Sequence, residues 1–260
     1  MAHDVTPSQT DTGISSEQMP LLEPGDRLTR PEFERRYDAM PALRKAELIE
    51  GVVYMPSPVR YRRHGRPHAQ LIGWLIHYEA GTPGVETADN STTRLDLDNE
   101  PQPDAVLLIA PASGGQARIS ADDYIEAAPE LVVEVASSSV SFVLTTKLHV
   151  YRRSGVREYV VWRVLDGAVD WFVLRHGQYE RLPLDPEGLL RSETFPGLWL
   201  DVPALLRGDV AGVLATVQRG LVILHITLSL HVYSPRCPAN NCRAHISEGT
   251  GWILSRSWIR

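Results

Sequence analysis

Apolar and polar positions along this chain repeat with two different periods, and the switches between them mark out its elements. Residues 46–55, AELIEGVVYM, place two short apolar runs on either side of Glu50-Gly51. A glycine after an acidic residue between apolar runs predicts a β-hairpin. Over residues 68–80, Leu71, Ile72, Leu75 and Ile76 recur at helical spacing, which predicts a helix capped by Gly81. Residues 105–109 and 131–136 are short apolar runs of the kind that fill buried strands. Residues 144–154 return to a helical pattern that stops at Gly155. Residues 156–162, 168–174 and 178–182 are punctuated by Asp166-Gly167 and His176-Gly177, so they predict a β-meander.

Weaker patterns complete the chain. Thr29-Arg30-Pro31-Glu32 predicts a helix start, with Phe33 and Tyr37 following and Pro41 beyond the end. Residues 85–97 hold a strand, residues 119–127 a short helix, and residues 202–217 a final helix. Residues 1–25 are polar, proline-dotted and non-periodic, as in a flexible tail. One domain is therefore expected over residues 26–216. Residues 217–260 form a C-terminal tail of uncertain origin. Its opening, LVILHITLSLHV, is aliphatic and β-branched, and the stretch from residue 221 reads either as an out-of-frame extension or as a genuine appendage.

Composition narrows the classes. The chain has 260 residues, 43% apolar and 22% charged, enough for an ordinary globular core. The net charge of −6 excludes a general basic nucleic-acid coat, so any DNA contact must use a local patch. The densest basic run, VRYRRHGRP, carries Arg60, Arg62, Arg63 and Arg66, which suit phosphate contacts or a solvated loop. Two cysteines, Cys237 and Cys242, make no disulfide framework, and a reducing cytoplasm is expected. No apolar run approaches the roughly 20 residues that span a bilayer, and the N-terminus has no secretory pattern.

One residue breaks its element. Glu134 interrupts the apolar run Leu131, Val132, Val133, Val135. Buried charges need a partner, because desolvation is costly. Glu134 is therefore either a structural acid or a holder of something that wants a carboxylate. Glu47, Asp104 and Lys147 stand at comparable places in apolar elements, and Asp104 precedes Glu134 by 30 residues. That spacing allows a strand, a connection and a neighbouring strand. Two carboxylates at matching heights on adjacent strands suit Mg²⁺, which takes one or two carboxylates and keeps several waters. A lysine beside them adds a point charge for a phosphate or an attacking water.

The order E-L-I-E-G, P-S-P, Q-P-D before an apolar strand, V-V-E-V with a serine-rich corner, and K-L-x-x-Y-R-R-x-G-V-x-E-Y resembles the Uma-two family of restriction-endonuclease-like proteins. The resemblance runs from about Glu47 to Asp170, and more loosely over residues 28–208. It implies an α/β, restriction-endonuclease-like core of the PD-(D/E)XK type: a central mixed β-sheet flanked by helices, with the meander C-terminal to it. It also implies DNA as substrate, Mg²⁺ or Mn²⁺ as cofactor, and a homodimer. By the same resemblance Asp104 and Glu134 are the metal ligands and Glu47 the preceding acid. The pattern's lysine falls at Ala136, so the usual E-x-K is absent, and Lys147 on the following helix takes its role. The family often carries acids between the serine corner and this lysine; Phe142-Val143-Leu144-Thr145-Thr146 has none.

The expectation is metal-dependent hydrolysis of DNA phosphodiester bonds by Glu47, Asp104, Glu134 and Lys147. The alternative is a nuclease-fold module that binds nucleic acid or a protein without cutting. His64 and His68 are read as satisfied histidines in preference to a proton shuttle. Trp162, Trp171 and Trp199 are read as packing. Cys237, Cys242 and His245 make only half of a zinc-site pattern.

Overall fold

The computed structural model describes residues 19–56 and 58–232. Helix α1 (Arg30–Asp38) begins after Thr29 with a proline in its first turn, where the missing N–H has no intrahelical partner to lose. It buries Phe33 against the hairpin formed by β1 (Glu47–Ile49) and β2 (Val52–Tyr54). Glu50 and Gly51 both have positive φ, 54° and 70°, as a two-residue turn of the I′ type needs. The chain joins this unit ahead of residue 26: Leu22 is buried in it, and the Gly25 N–H donates to Val53 O at 2.9 Å.

A wide π-type turn, Tyr61–Gly65, leads into α2 (Arg66–Ala80). Its buried face is Pro67, Leu71, Trp74, Leu75 and Tyr78, rotated from the expected one, so that Ile76 is 47% exposed. Next come β3 (Val85–Asp89), β4 (Thr93–Arg94) and β5 (Ala105–Ile109). The helix expected at 119–127 is not formed. Strands β6 (Arg118–Ile119) and β7 (Ile125–Glu126) stand there and pair with each other, and β7 also pairs with β4. Ser120 explains the difference: its hydroxyl accepts from Tyr124 N–H at 3.0 Å, and such local bonds compete with a helix.

Strand β8 (Leu131–Ala136) is buried at every position. A helical run follows: α3 (Val140–Phe142), a π-type turn at Val143–Lys147, and α4 (Leu148–Ser154), closed by Gly155 with φ 88°. The expected meander is β9 (Glu158–Arg163), β10 (Ala168–Arg175) and β11 (Gln178–Arg181). Strands β12 (Leu189–Arg191) and β13 (Trp199–Asp201) form a separate pair. Helices α5 (Val202–Arg207) and α6 (Val210–Val232) complete the described chain.

The main sheet has six strands in the order β11-β10-β9-β8-β5-β3, with β8 and β9 parallel and every other neighbour antiparallel. It is a mixed sheet between helices, the expected α/β class. Alternation along the strands splits the core in two. Leu107, Val133, Val160 and Trp171 face α2 and α6, while Val106, Val132, Ala136 and Val161 face α3 and α4. The expected final helix at 202–217 differs twice. It breaks at Gly208, with φ 75°, and α6 then runs past residue 221 with Leu221 buried in the core. Cys237, Cys242 and His245 lie outside the described residues, and no helix among those described is long and apolar enough to cross a membrane.

Candidate active site

The antiparallel register ends with Ala105 opposite Val133, and Asp104, just ahead of β5, stands one residue beyond it toward Glu134. Opposite positions share a face. The pleat therefore sets both acids on the side covered by α3 and α4. Both are buried, as are Glu47 and Lys147.

Glu47 arrives from the hairpin. Leu48 and Glu100 exchange backbone bonds of 3.2 and 2.7 Å, which dock β1 against the strand approach to β5. The Gln102 N–H then donates to Glu47 Oε1 at 2.7 Å. Lys147 arrives from the helical run after β8. Its Nζ donates to Glu47 Oε1 and to Glu134 Oε1, each at 2.8 Å. Tyr151, one turn on, donates its hydroxyl to the same Glu134 Oε1 at 2.9 Å. Ala136, at the usual lysine position, is buried against this helical run instead.

Asp104 has its own holders. The Val135 N–H donates to its Oδ2 at 2.7 Å, and His64 Nε2 lies 3.2 Å from its carboxylate. His68 Nε2 is 2.8 Å from Asp104 O and 2.9 Å from Asp89 Oδ1. Lys45 Nζ stands 3.9 Å from Asp104. The π-type turn thus carries His64 to the candidate site, although its place in the sequence suggests only a satisfied histidine.

These contacts set the protonation states. Burial, together with the charges of Asp104 and Glu47, pushes Glu134 up to about 7 despite Lys147. Burial alone would lower Lys147, but Glu134 and Glu47 more than offset it and hold the ammonium above its usual range. Burial would raise Asp104, yet His64 and the Val135 N–H hold its carboxyl below the usual range. His64 is raised in turn by its bond to Asp104.

Two buried carboxylates, Glu47 and Glu134, thus share one buried lysine, and a third, Asp104, stands beside His64. Hard oxygen donors with an excess of negative charge fit a divalent cation such as Mg²⁺. Among the described residues no group of three or more His, Cys, Asp or Glu side chains is assembled to hold an ion; Mg²⁺ commonly takes only one or two carboxylates and keeps several waters.

The structure therefore brings together Glu47, Glu134 and Lys147, with Asp104 beside them on the neighbouring strand. It does not bring Arg60, Arg62, Arg63 or Arg66 into the cluster; their guanidinium groups make no ion pair among the described residues. The segment lacking acids is filled by apolar contact: Val143 is buried, and the Phe142 ring lies 4.5 Å from that of Tyr54. Tyr151 is a site residue that the sequence pattern did not single out, although its spacing of four from Lys147 on a helix was a usable signal.

The family model described as "Uma2: Putative restriction endonuclease" matches residues 30–203. Four chains among the solved structures match. One is described as a "putative nuclease belonging to DUF820 from Anabaena variabilis". It is 16% identical with a TM-score of 0.50, over 65% of this chain and 96% of that one. It shares the fold. No curated protein matches the chain.

Proposed function

The chain belongs to the Uma2 family, and from that premise we propose that it is a metal-dependent endonuclease that hydrolyses DNA phosphodiester bonds. One observation carries the reading: the Asp104 carboxylate is held by the backbone N–H of Val135, next to Glu134, and Lys147 is bound to Glu134. Asp104 and Glu134 would hold Mg²⁺ or Mn²⁺. When bound, such an ion lowers the pKa of its water and offsets charge developing on the phosphate.

The chain's own residues do the rest. Lys147 places a fixed positive charge beside Glu134, suited to a phosphate oxygen or an attacking water. Glu47 and Tyr151 fix the lysine and the carboxylate in place without waiting for substrate. The Val135 N–H and His64 keep Asp104 ionised and oriented.

The test is direct. The full chain is incubated with supercoiled plasmid and with single-stranded circular DNA, in Mg²⁺, in Mn²⁺ and in chelator. Cleavage in either metal, absent in chelator and reduced at least a hundredfold in Asp104→Asn and Glu134→Gln, supports the reading. Wild type and both variants behaving alike sinks it.

A second reading, a nuclease-fold module that binds without cutting, is favoured by one observation: Lys147 already bridges Glu47 and Glu134. It predicts salt-sensitive DNA retention with no cleavage in any metal.

A further inference from the structure

One side of the π-type turn Tyr61–Gly65 carries His64 to Asp104; residues of the same turn line a cleft of about 460 Å³. Its lining includes Tyr61 and Arg62 from the turn, Arg66 from the start of α2, Trp162 from β9, and Arg207 from the end of α5. Three separate segments therefore contribute an arginine or the aromatic floor, so the concave shape is set by the fold.

The charges in this cleft are unanswered. Arg62, Arg66 and Arg207 are exposed and make no ion pair among the described residues. Other arginines, among them Arg163, Arg175, Arg191 and Arg219, each reach a carboxylate. In a chain of net charge −6, three unpaired guanidinium groups in one cleft make a local positive site. Guanidinium groups match phosphate oxygens in geometry as well as charge.

The aromatic residues add a second requirement. Tyr61 is 70% exposed, far more than packing would leave a tyrosine ring, while Trp162 is buried as the floor. Trp162 pairs with Val135, and both face the α2 and α6 side of the sheet, opposite the face that carries Glu134, so the cleft is linked to the candidate site through the turn. Arginines beside an open aromatic ring are the elements by which proteins hold unpaired nucleotides: phosphates on the cations and a base on the ring. A paired base in a duplex has no free face for that ring. The volume lies within the usual range for small-ligand clefts, about 300–1,000 Å³.

We propose that this cleft is a subsite for single-stranded nucleic acid, joined to the candidate site by the Tyr61–Gly65 turn. Arg62, Arg66 and Arg207 hold phosphates there and Tyr61 stacks on an unpaired base. Arg60 and Arg63, in the same basic run, do not line the cleft and serve no role in it. The inference rests on the proposed action on nucleic acid and names the form of the substrate.

The test measures binding separately from cleavage. The full chain is titrated, in chelator, against a labelled 12-nucleotide single strand and the matching duplex, at several salt concentrations. The expected result is tighter binding of the single strand. Arg62→Ala/Arg66→Ala/Arg207→Ala, with an unchanged circular dichroism spectrum, is expected to bind at least tenfold more weakly. Its log K against log salt slope is expected to be shallower by about 2, since each phosphate of a single strand that an arginine neutralises adds about 0.7 to the slope. Tyr61→Ala weakens binding about tenfold and Tyr61→Phe restores it, which a purely structural tyrosine hydroxyl would not do. Equal binding of both DNA forms, or wild-type binding by the triple arginine variant, overturns the proposal. Strand binding without cleavage in Mg²⁺ or Mn²⁺ removes the hydrolytic reading and leaves the cleft standing. Metal-dependent cleavage with unchanged binding by the arginine variant does the reverse.

Discussion

Lys147 Nζ and Glu47 Oε1 lie 2.8 Å apart although 100 residues separate them in the chain. Lys147 also holds Glu134, so one ammonium keeps two buried carboxylates apart. Removing one member of a buried charge group costs about 3–5 kcal/mol, because the remaining charges are left without compensation. Lys147→Met is expected to lose about that much unfolding free energy at pH 8, measured by urea denaturation. The loss is smaller at pH 5, where Glu134 takes up a proton. Adding Glu134→Gln to Lys147→Met recovers part of it. An equal loss at both pH values would mean that Lys147 acts through packing instead.

How much of this cluster was legible depends on how local its causes are. Glu134 stood out because a carboxylate inside Leu131–Val135 contradicts its element, and the apolar run after Asp104 placed it on a strand. Their approach depends on β5 pairing with β8 and on the Val135 N–H bond to Asp104, which no single run encodes. His64 was hidden because a π-type turn breaks the helical period just at its position. Strands β6 and β7 were hidden by side-chain bonds at Ser120. Helix α6 looks shorter in sequence than in space because Gly220 resembles a terminus; its reason for being glycine lies on another segment, at Gly197.

The pH dependence of stability follows from Glu134. Its folded value, about 7, lies above the unfolded value of about 4.3. The folded state therefore holds the proton more tightly, and this contribution is fully present below about 4.3 and lost as pH rises through 7. At about 1.4 kcal/mol per unit, the loss approaches about 4 kcal/mol. His64, also raised, has the same sign. Asp104, lowered, has the opposite sign, and its contribution is lost only as pH falls through the acid range. Thermal melts in chelator are expected to show stability falling from pH 5 to pH 8; Glu134→Gln should remove part of that slope, while Glu100, pushed up to about 9 by burial and by Glu34, contributes with the same sign. A rising slope in wild type would contradict the burial of an uncompensated acid.

Metal should act on the same balance from the other side. A divalent cation favours the charged form of Glu134, so it stabilises the fold more at pH 8 than at pH 5, where a proton competes. Melts without Mg²⁺ and with Mg²⁺ at about a hundredfold excess over its dissociation constant would then differ by about 2.7 kcal/mol at pH 8. Asp104→Asn should abolish the difference. A metal effect of equal size in Asp104→Asn would place the ion elsewhere.

Two glycines in helices should respond to alanine with opposite signs. A Cβ on Gly220 of α6 would stand 2.2 Å from Gly197 O and 3.0 Å from its carbonyl carbon. Both are backbone atoms, so a rotamer change cannot relieve the clash. Overpacking of this kind costs about 1–3 kcal/mol or more, against about 1 kcal/mol gained in helix propensity. Gly73 lies inside α2 with nothing within 4 Å of the same added atom. Gly73→Ala is therefore expected to stabilise by about 0.5–1 kcal/mol. Gly220→Ala should destabilise in the same urea titration. If both variants stabilise, α6 does not pass Gly197 at this distance, and the stretch beyond residue 217 is not docked on the core as its buried Leu221 indicates.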